Sequence, residues 1–158
     1  MSSFFFATPK ELTAWLSRLA ESYRVMAPRQ EGPSVVFRAQ TAEQLASADV
    51  AALLKRATVS PKQAILPQCE TLVKFSAEKD PEKPANLTMK VENPCNPEPT
   101  VLFGCRPCDA RGFVVLDGPY LGGKFKDPYY AARREATLIV TQACPTSYAT
   151  CFCNWVGG

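Results

Sequence analysis

Apolar residues Leu12, Trp15, Leu16, Leu19 and Tyr23 recur at helical spacing behind Thr8–Pro9–Lys10–Glu11. That opening is a capping box with proline at the first helical position, so a helix is predicted over 9–23 with its apolar stripe in the core. Residues 24–27 and 35–38 read as short strands around a Pro/Gly turn. Thr41 and Gln44 form a second capping box, ahead of Leu45, Val50, Leu53 and Leu54. Ser60–Pro61 starts a turn or short helix, and 64–66 reads as a brief strand stopped by Pro67. Residues 71–75 fit helix and extended chain equally well.

The pattern then breaks. Residues 76–99 hold five of the fourteen prolines and few large apolar side chains. They read as a long surface loop with a small hairpin at 87–91. Beyond it, the apolar run 100–103 ends at Gly104 and leads into Cys105–Arg106–Pro107–Cys108. Asp109 is placed to cap a helix reaching about Leu116, and Asp127–Pro128 to cap another through Tyr130 and Arg134. Residues 136–141 are a second β run, followed by Cys144. A strand, helical connection and second strand predict a parallel, right-handed crossover. Both strands then end on one edge of the sheet, where open α/β sheets hold their ligands. The expected fold is a single α/β domain over 1–158, with a small mixed or parallel sheet flanked by helices and a cysteine-rich site at the C-terminal strand edge.

Composition narrows the chemistry. The chain has 158 residues and a net charge of +3, too small and scattered to point to nucleic acid or an anionic membrane. No apolar run approaches the roughly 18 residues of a membrane span. The N-terminal Phe4–Phe5–Phe6–Ala7 patch lacks a basic start and a long apolar stretch, so it is no secretory signal. It reads instead as an edge strand or core plug. A reducing, cytoplasmic compartment is expected. The sequence contains no histidine, which removes any Ser–His or Cys–His catalytic pair within the chain.

Seven cysteines remain: Cys69, Cys95, Cys105, Cys108, Cys144, Cys151 and Cys153. An odd count without a signal argues against a disulfide framework. Five of the seven fall between 105 and 153. Three readings compete. Cysteine is often buried as a small hydrophobe. Structural zinc prefers paired C-x₂-C knuckles, and only Cys105 to Cys108 has that spacing. An iron–sulfur cubane needs four thiolates from different directions, which loops at one sheet edge can supply. The favoured set for the last is Cys108, Cys144, Cys151 and Cys153, with Phe152 as a shield from water and Cys105 as neighbour or substitute. The usual bacterial ferredoxin run is absent.

The stretches ILPQCE (65–70), VLFGCRPCDARGFVVLD (101–117), KDPYYAARRE (126–135) and the pattern of Cys144 with CFC (151–153) carry a resemblance. Together they resemble the family that holds the sulfhydrogenase beta subunit and the iron–sulfur electron-transfer subunit of anaerobic sulfite reductases. That family has relatives beside heterodisulfide reductase-like and flavin-containing complexes. The resemblance is loose at the N-terminus and close from 101 onward. It implies cluster and metal ligation by Cys108, Cys144, Cys151 and Cys153, with Cys105 and Cys69 as local variants. It implies a 4Fe–4S cluster in this chain, FAD on a partner subunit, and a flavoprotein and other redox subunits as partners. It also implies a non-catalytic role in anaerobic electron transfer. Family members continue into a dicluster ferredoxin region, whereas this sequence ends at Val156–Gly157–Gly158.

A four-thiolate cluster is negatively charged and is tuned by nearby cations, for which Arg106, Arg111, Arg133 and Arg134 are the candidates. Asp109 reads as a helix cap rather than an acid catalyst. Glu70 and Asp127 match positions in the resembled family, but no carboxylate pair is poised for acid–base work. Tyr129 and Tyr130 read as core or interface. No phosphate-binding glycine loop of the dinucleotide type occurs; Gly122–Gly123 is a turn signal. The alternative to electron transfer is a structural zinc-binding interaction module. A third reading is a flavin-contacting adaptor whose thiols hold no metal.

Overall fold

A computed structural model describes residues 5–79 and 87–157. Helix α1 (Pro9–Leu19) starts where the capping box places it: Glu11 N donates to Thr8 Oγ1 at 3.3 Å, and Thr8 N donates to the Glu11 carboxylate at 2.6 Å. It stops earlier than 23, because the chain turns after Ala20 to enter the first strand. Leu16 is fully buried, whereas Trp15 is 37% exposed and Tyr23 45% exposed. The core stripe is therefore narrower than the periodicity predicts. Phe5 and Phe6 correct a further expectation. Both are exposed and outside any strand, so they neither plug the core nor extend a sheet. Phe4 lies outside the described residues.

Strands β1 (Arg24–Glu31) and β2 (Ser34–Gln40) form an antiparallel hairpin, with Gly32 at φ +57 in its turn. Helix α2 (Ala42–Ala46) is capped by Thr41, whose Oγ1 accepts from Gln44 N at 3.3 Å, and α3 (Val50–Leu53) follows. Pro61 then opens a 3₁₀ helix, Pro61–Ala64. This corrects the strand expected at 64–66. Ile65 is buried, yet it reaches the core from the end of a 3₁₀ turn and not from a ladder.

Within the proline-rich region, the described residues 76–79 and 87–92 are strands. Strands β3 (Lys74–Lys79) and β4 (Leu87–Glu92) pair antiparallel as a separate exposed ribbon. Residues 87–91 thus pair with the segment before the prolines, not within themselves. The ambiguity at 71–75 resolves toward extended chain from Lys74.

Strand β5 (Thr100–Cys105), helix α4 (Pro107–Leu121), helix α5 (Pro128–Glu135) and strand β6 (Thr137–Thr141) form the expected crossover. β5 and β6 run parallel, with Val101 opposite Leu138 and Leu102 opposite Ile139. Arg106, not Asp109, is the N-cap of α4, and the helix outruns Leu116 by a turn, with Pro119 inside its end. Asp127 caps α5 as predicted, accepting from Tyr129 N and Tyr130 N at 2.9 Å each. A short helix α6 (Cys153–Val156) closes the described chain.

The main sheet has four strands in the order β2-β1-β5-β6, antiparallel at the first pair and parallel at the other two. The two-residue period of β1 and β5 divides the core. Val25, Ala27, Val101 and Phe103 face Leu16, Leu45 and Leu53 from α1, α2 and α3. Met26 and Leu102 face Ala64, Phe113 and Tyr130 on the other side. With helices on both faces, β5 is buried along its whole length. The chain is thus an α/β fold with a small mixed sheet flanked by helices. Among the described residues, no helix is long and apolar enough to cross a membrane.

Candidate functional site

The parallel crossover decides where the thiols lie. Because β5 and β6 end on the same edge, the start of α4 and the segment after β6 share one rim. The junction is tight. Gln142 N donates to the Cys105 carbonyl at 2.8 Å, and its side-chain amide donates to the Leu54 carbonyl at 2.9 Å. β5 reaches the rim through Gly104, where the register with β6 shifts and φ is +84. A Cβ there would meet the Leu53 carbonyl oxygen at 3.0 Å and Pro28 Cδ at 3.1 Å, so the close approach requires glycine.

Cys108 lies in the first turn of α4 and is half-buried. Burial chiefly, then the Asp109 carboxylate and Cys153, pushes its thiol up from the ordinary value. Cys153 opens α6, the short helix that packs against α4. The two helices are tied by Arg111 Nε, which donates to the Val156 carbonyl at 2.9 Å. A cleft of about 440 Å³ runs between them, lined by Lys62, Cys108, Val115, Phe152 and Val156 among others. Phe152 thus stands beside Cys108, though it remains largely exposed itself.

Cys144 is exposed, and Arg106 Nη1 donates to its Sγ at 3.2 Å. The Nε of the same guanidinium is buried and has no hydrogen-bond partner among the described residues. Cys151 is exposed and accepts from Tyr148 N at 3.2 Å. The Arg56 guanidinium stacks over the Tyr148 ring at 4.3 Å, linking that loop to the stretch after α3. Arg56, Lys62 and Arg106 all act on the Asp109 carboxylate and pull its pKa down, but burial is stronger and leaves it raised. Asp109 accepts from Arg106 N at 3.3 Å, the role of a third-position capping acid.

Arg56 and Lys62 are contributors that sequence reasoning missed. They come from the irregular stretch after α3 and from the 3₁₀ helix, far from the cysteines in the chain, and carry no local motif. Two expected cations do other work. Arg133 pairs with Glu70 and donates to the Ile65 carbonyl, and Arg134 pairs with Asp117. Tyr130 is core: it is fully buried, stacks on Tyr120 with ring centroids 4.6 Å apart, and donates to Asp117 Oδ1 at 2.7 Å. Tyr129 donates its hydroxyl to the Leu72 carbonyl.

The other cysteines separate from the rim. Cys105 is fully buried, and its thiol is pushed up to about 12 by burial and by Asp109. It is a core neighbour of the site, facing Phe113 and Tyr130. Cys69 is exposed, and Cys95 lies near the Pro128 carbonyl at the start of α5.

The donor chemistry suits a thiolate-held group. Thiols at one rim share it with several cations and with one buried N–H that lacks an acceptor among the described residues, and sulfur accepts from such donors. The arrangement itself packs together the helices of only two of the expected ligands, Cys108 on α4 and Cys153 on α6. Cys144 and Cys151 are engaged by Arg106 and by Tyr148 N instead. Among the described residues, no three Cys, Asp or Glu side chains are grouped closely enough to hold a metal ion. Comparison of the chain with protein-family models, characterised proteins and solved structures found no match.

Proposed function

We propose that this chain is an electron-transfer component of a larger redox complex, holding a 4Fe–4S cluster on Cys108, Cys144, Cys151 and Cys153. The observation that carries the reading is the rim. Cys144 accepts from Arg106 at the start of α4, the helix whose first turn carries Cys108, and the Arg106 Nε–H has no acceptor among the described residues. Thiolate ligation requires loss of the thiol proton, which burial opposes at Cys108. Binding therefore draws on the metal's own charge and on Arg106. Cys144 and Cys151 exchange their present partners for the metal.

The family resemblance supplies the rest of the proposal. The chain works in the cytoplasm beside a flavoprotein that carries FAD, and passes electrons without itself transforming a substrate. The terminal acceptor belongs to another component of the complex.

Anaerobic reconstitution with ferrous iron and sulfide tests this. The expected product is brown, absorbs broadly at roughly 400 nm, and holds about four iron and four sulfide per chain. Serine at 108, 144, 151 or 153 should lower both contents, whereas Cys69→Ser and Cys95→Ser should not. Zinc without sulfide, lost in the same four variants, would replace this reading with the structural zinc module. Failure to take up either metal would remove both.

A further inference from the structure

Three elements wall the cleft between α4 and α6. From α4 come Cys108, Gly112 and Val115, which share one face of the helix at spacings of four and three. Phe152 and Val156 stand on the α6 side, and Lys62 reaches the cleft from the 3₁₀ helix. The Arg111–Val156 hydrogen bond at 2.9 Å holds α6 against α4. At about 440 Å³, the space is of the size that holds a small organic molecule.

The walls combine apolar surface with unspent positive charge. Val115 and Phe152 are exposed, and the Phe152 ring offers a flat face for stacking. The Lys62 ammonium has no ion pair or hydrogen bond among the described residues. Arg111 spends only Nε on the Val156 carbonyl, which leaves its two Nη groups without a partner among the described residues. One carboxylate also borders the cleft, Asp109, and it already accepts from Arg106 N at 3.3 Å as part of the helix cap. The charge left over is therefore positive.

Gly112 keeps the space open. A glycine inside a helix lowers helix stability relative to alanine. A Cβ at this position would meet nothing within 4 Å, so α4 is bare where it borders the cleft.

We propose that this cleft binds a small, flat aromatic molecule carrying one anionic group, such as an aromatic carboxylate. The ring is covered by Val115 and Phe152, and the anionic group is drawn to the Lys62 and Arg111 cations. A neutral analogue keeps the apolar contacts and loses the charge. The site does not rest on the cluster reading, although Cys108 borders both.

Isothermal titration calorimetry of the full-length chain compares naphthoate with its neutral counterpart, naphthalenemethanol. Naphthoate should bind once per chain with a Kd on the order of 0.1 mM, about fivefold more tightly than the alcohol. Lys62→Gln should narrow that preference to about twofold and leave the alcohol's affinity unchanged. Gly112→Leu places a good helix former in the open space and should abolish saturable binding of both probes. Val115→Asp should do the same, by setting a negative charge in the apolar wall. Val114→Asp alters an exposed neighbour on α4 that does not line the cleft, and should bind as the parent does. Far-UV spectra establish that each variant is folded. No saturable uptake of naphthoate, equal affinity for acid and alcohol, or undiminished binding by folded Gly112→Leu overturns the proposal. Iron and sulfide uptake is read on separate anaerobic samples, where Cys144→Ser should lower uptake and leave naphthoate binding intact. A chain that loads a cluster but ignores naphthoate refutes only this inference. A chain that binds naphthoate but takes up no iron or sulfide refutes only the proposed function.

Discussion

Arg106 donates from Nη1 to Cys144 Sγ at 3.2 Å while its buried Nε finds no partner among the described residues. A guanidinium held in this way would favour negative charge on a group bound at that sulfur. Its backbone also starts α4, through Arg106 N to Asp109 Oδ2 at 3.3 Å, so the side chain is fixed at the rim by the helix cap. A cation beside a reducible, negatively charged centre stabilises the reduced state more than the oxidised one. In the reconstituted protein, Arg106→Gln should therefore lower the midpoint potential, with Arg106→Lys falling between the two. Film voltammetry reads this directly. Equal potentials in all three proteins would confine Arg106 to a structural role.

Gly104→Ala tests how β5 is delivered to the rim. The residue sits at φ +84, with the Leu53 carbonyl oxygen 3.0 Å and Pro28 Cδ 3.1 Å from where a Cβ would be. Backbone strain and the contact with a fixed carbonyl act together, so a loss of about 1–3 kcal/mol is expected. The structure around Gly32 offers a control. It also has positive φ, at +57, but nothing lies within 4 Å of its Cβ position. Gly32→Ala should therefore cost less. Chemical denaturation of both variants decides the ranking, and equal losses would mean that contact at Gly104 contributes nothing beyond strain.

What the sequence made legible follows from how local each signal is. Thr8, Thr41 and Asp127 cap their helices as predicted, because a cap joins residues only two or three apart. The β5–β6 crossover was legible because two apolar runs flank a helical pattern of ordinary length. The strand expected at 64–66 failed because three apolar residues fit a ladder and a buried 3₁₀ exit equally well. Pairing of β3 with β4 was hidden because it spans the proline-rich segment, and strand partners leave no mark in either strand alone. At the rim, CFC and C-x₂-C announce thiols but not distances. The packing of α6 on α4 arises from the chain folding back after β6, and Arg56 and Lys62 arrive from elements with no cysteine of their own. Arg133 and Arg134 misled for the same reason: their partners, Glu70 and Asp117, lie far along the chain.

Tyr130 anchors the packing of α5 against α4. Its hydroxyl donates to Asp117 Oδ1 at 2.7 Å, and Arg134 Nε donates to the same carboxylate at 3.1 Å. Tyr130→Phe keeps the ring stacked on Tyr120 and removes only the hydroxyl, leaving Asp117 paired with Arg134. A loss of about 1–2 kcal/mol is expected. Asp117→Ala should cost more, because it leaves a fully buried tyrosine hydroxyl only the long 3.4 Å hydrogen bond to the Phe113 carbonyl and takes the partner from a half-buried guanidinium. The double variant should be less destabilised than the sum of the two. Additive losses would show that the three groups are not one network.

Cys105 should make the protein sensitive to alkali. Its thiol has an ordinary pKa of 9.0 and is pushed up to about 12 by burial and by Asp109. Between these values the unfolded chain ionises at Cys105 while the folded chain keeps the proton. The folded state then binds more protons, so stability falls as pH rises from 9 and is unaffected by this group below it. The slope is about 1.4 kcal/mol per pH unit above 9. Tyr130, also raised by burial and by Asp117, joins only above its ordinary value of 10.0. Cys108 contributes in the same direction. Comparison with Cys105→Ala isolates the residue, since Tyr130 and Cys108 are common to both proteins. At pH 8 the variant should be weaker by about 1 kcal/mol from lost packing. By pH 10 that deficit should close, and above it the variant should be the more stable. Urea denaturation at pH 8, 9 and 10 measures the crossing, and parallel stability curves would show that the Cys105 thiol ionises as readily in the fold as out of it.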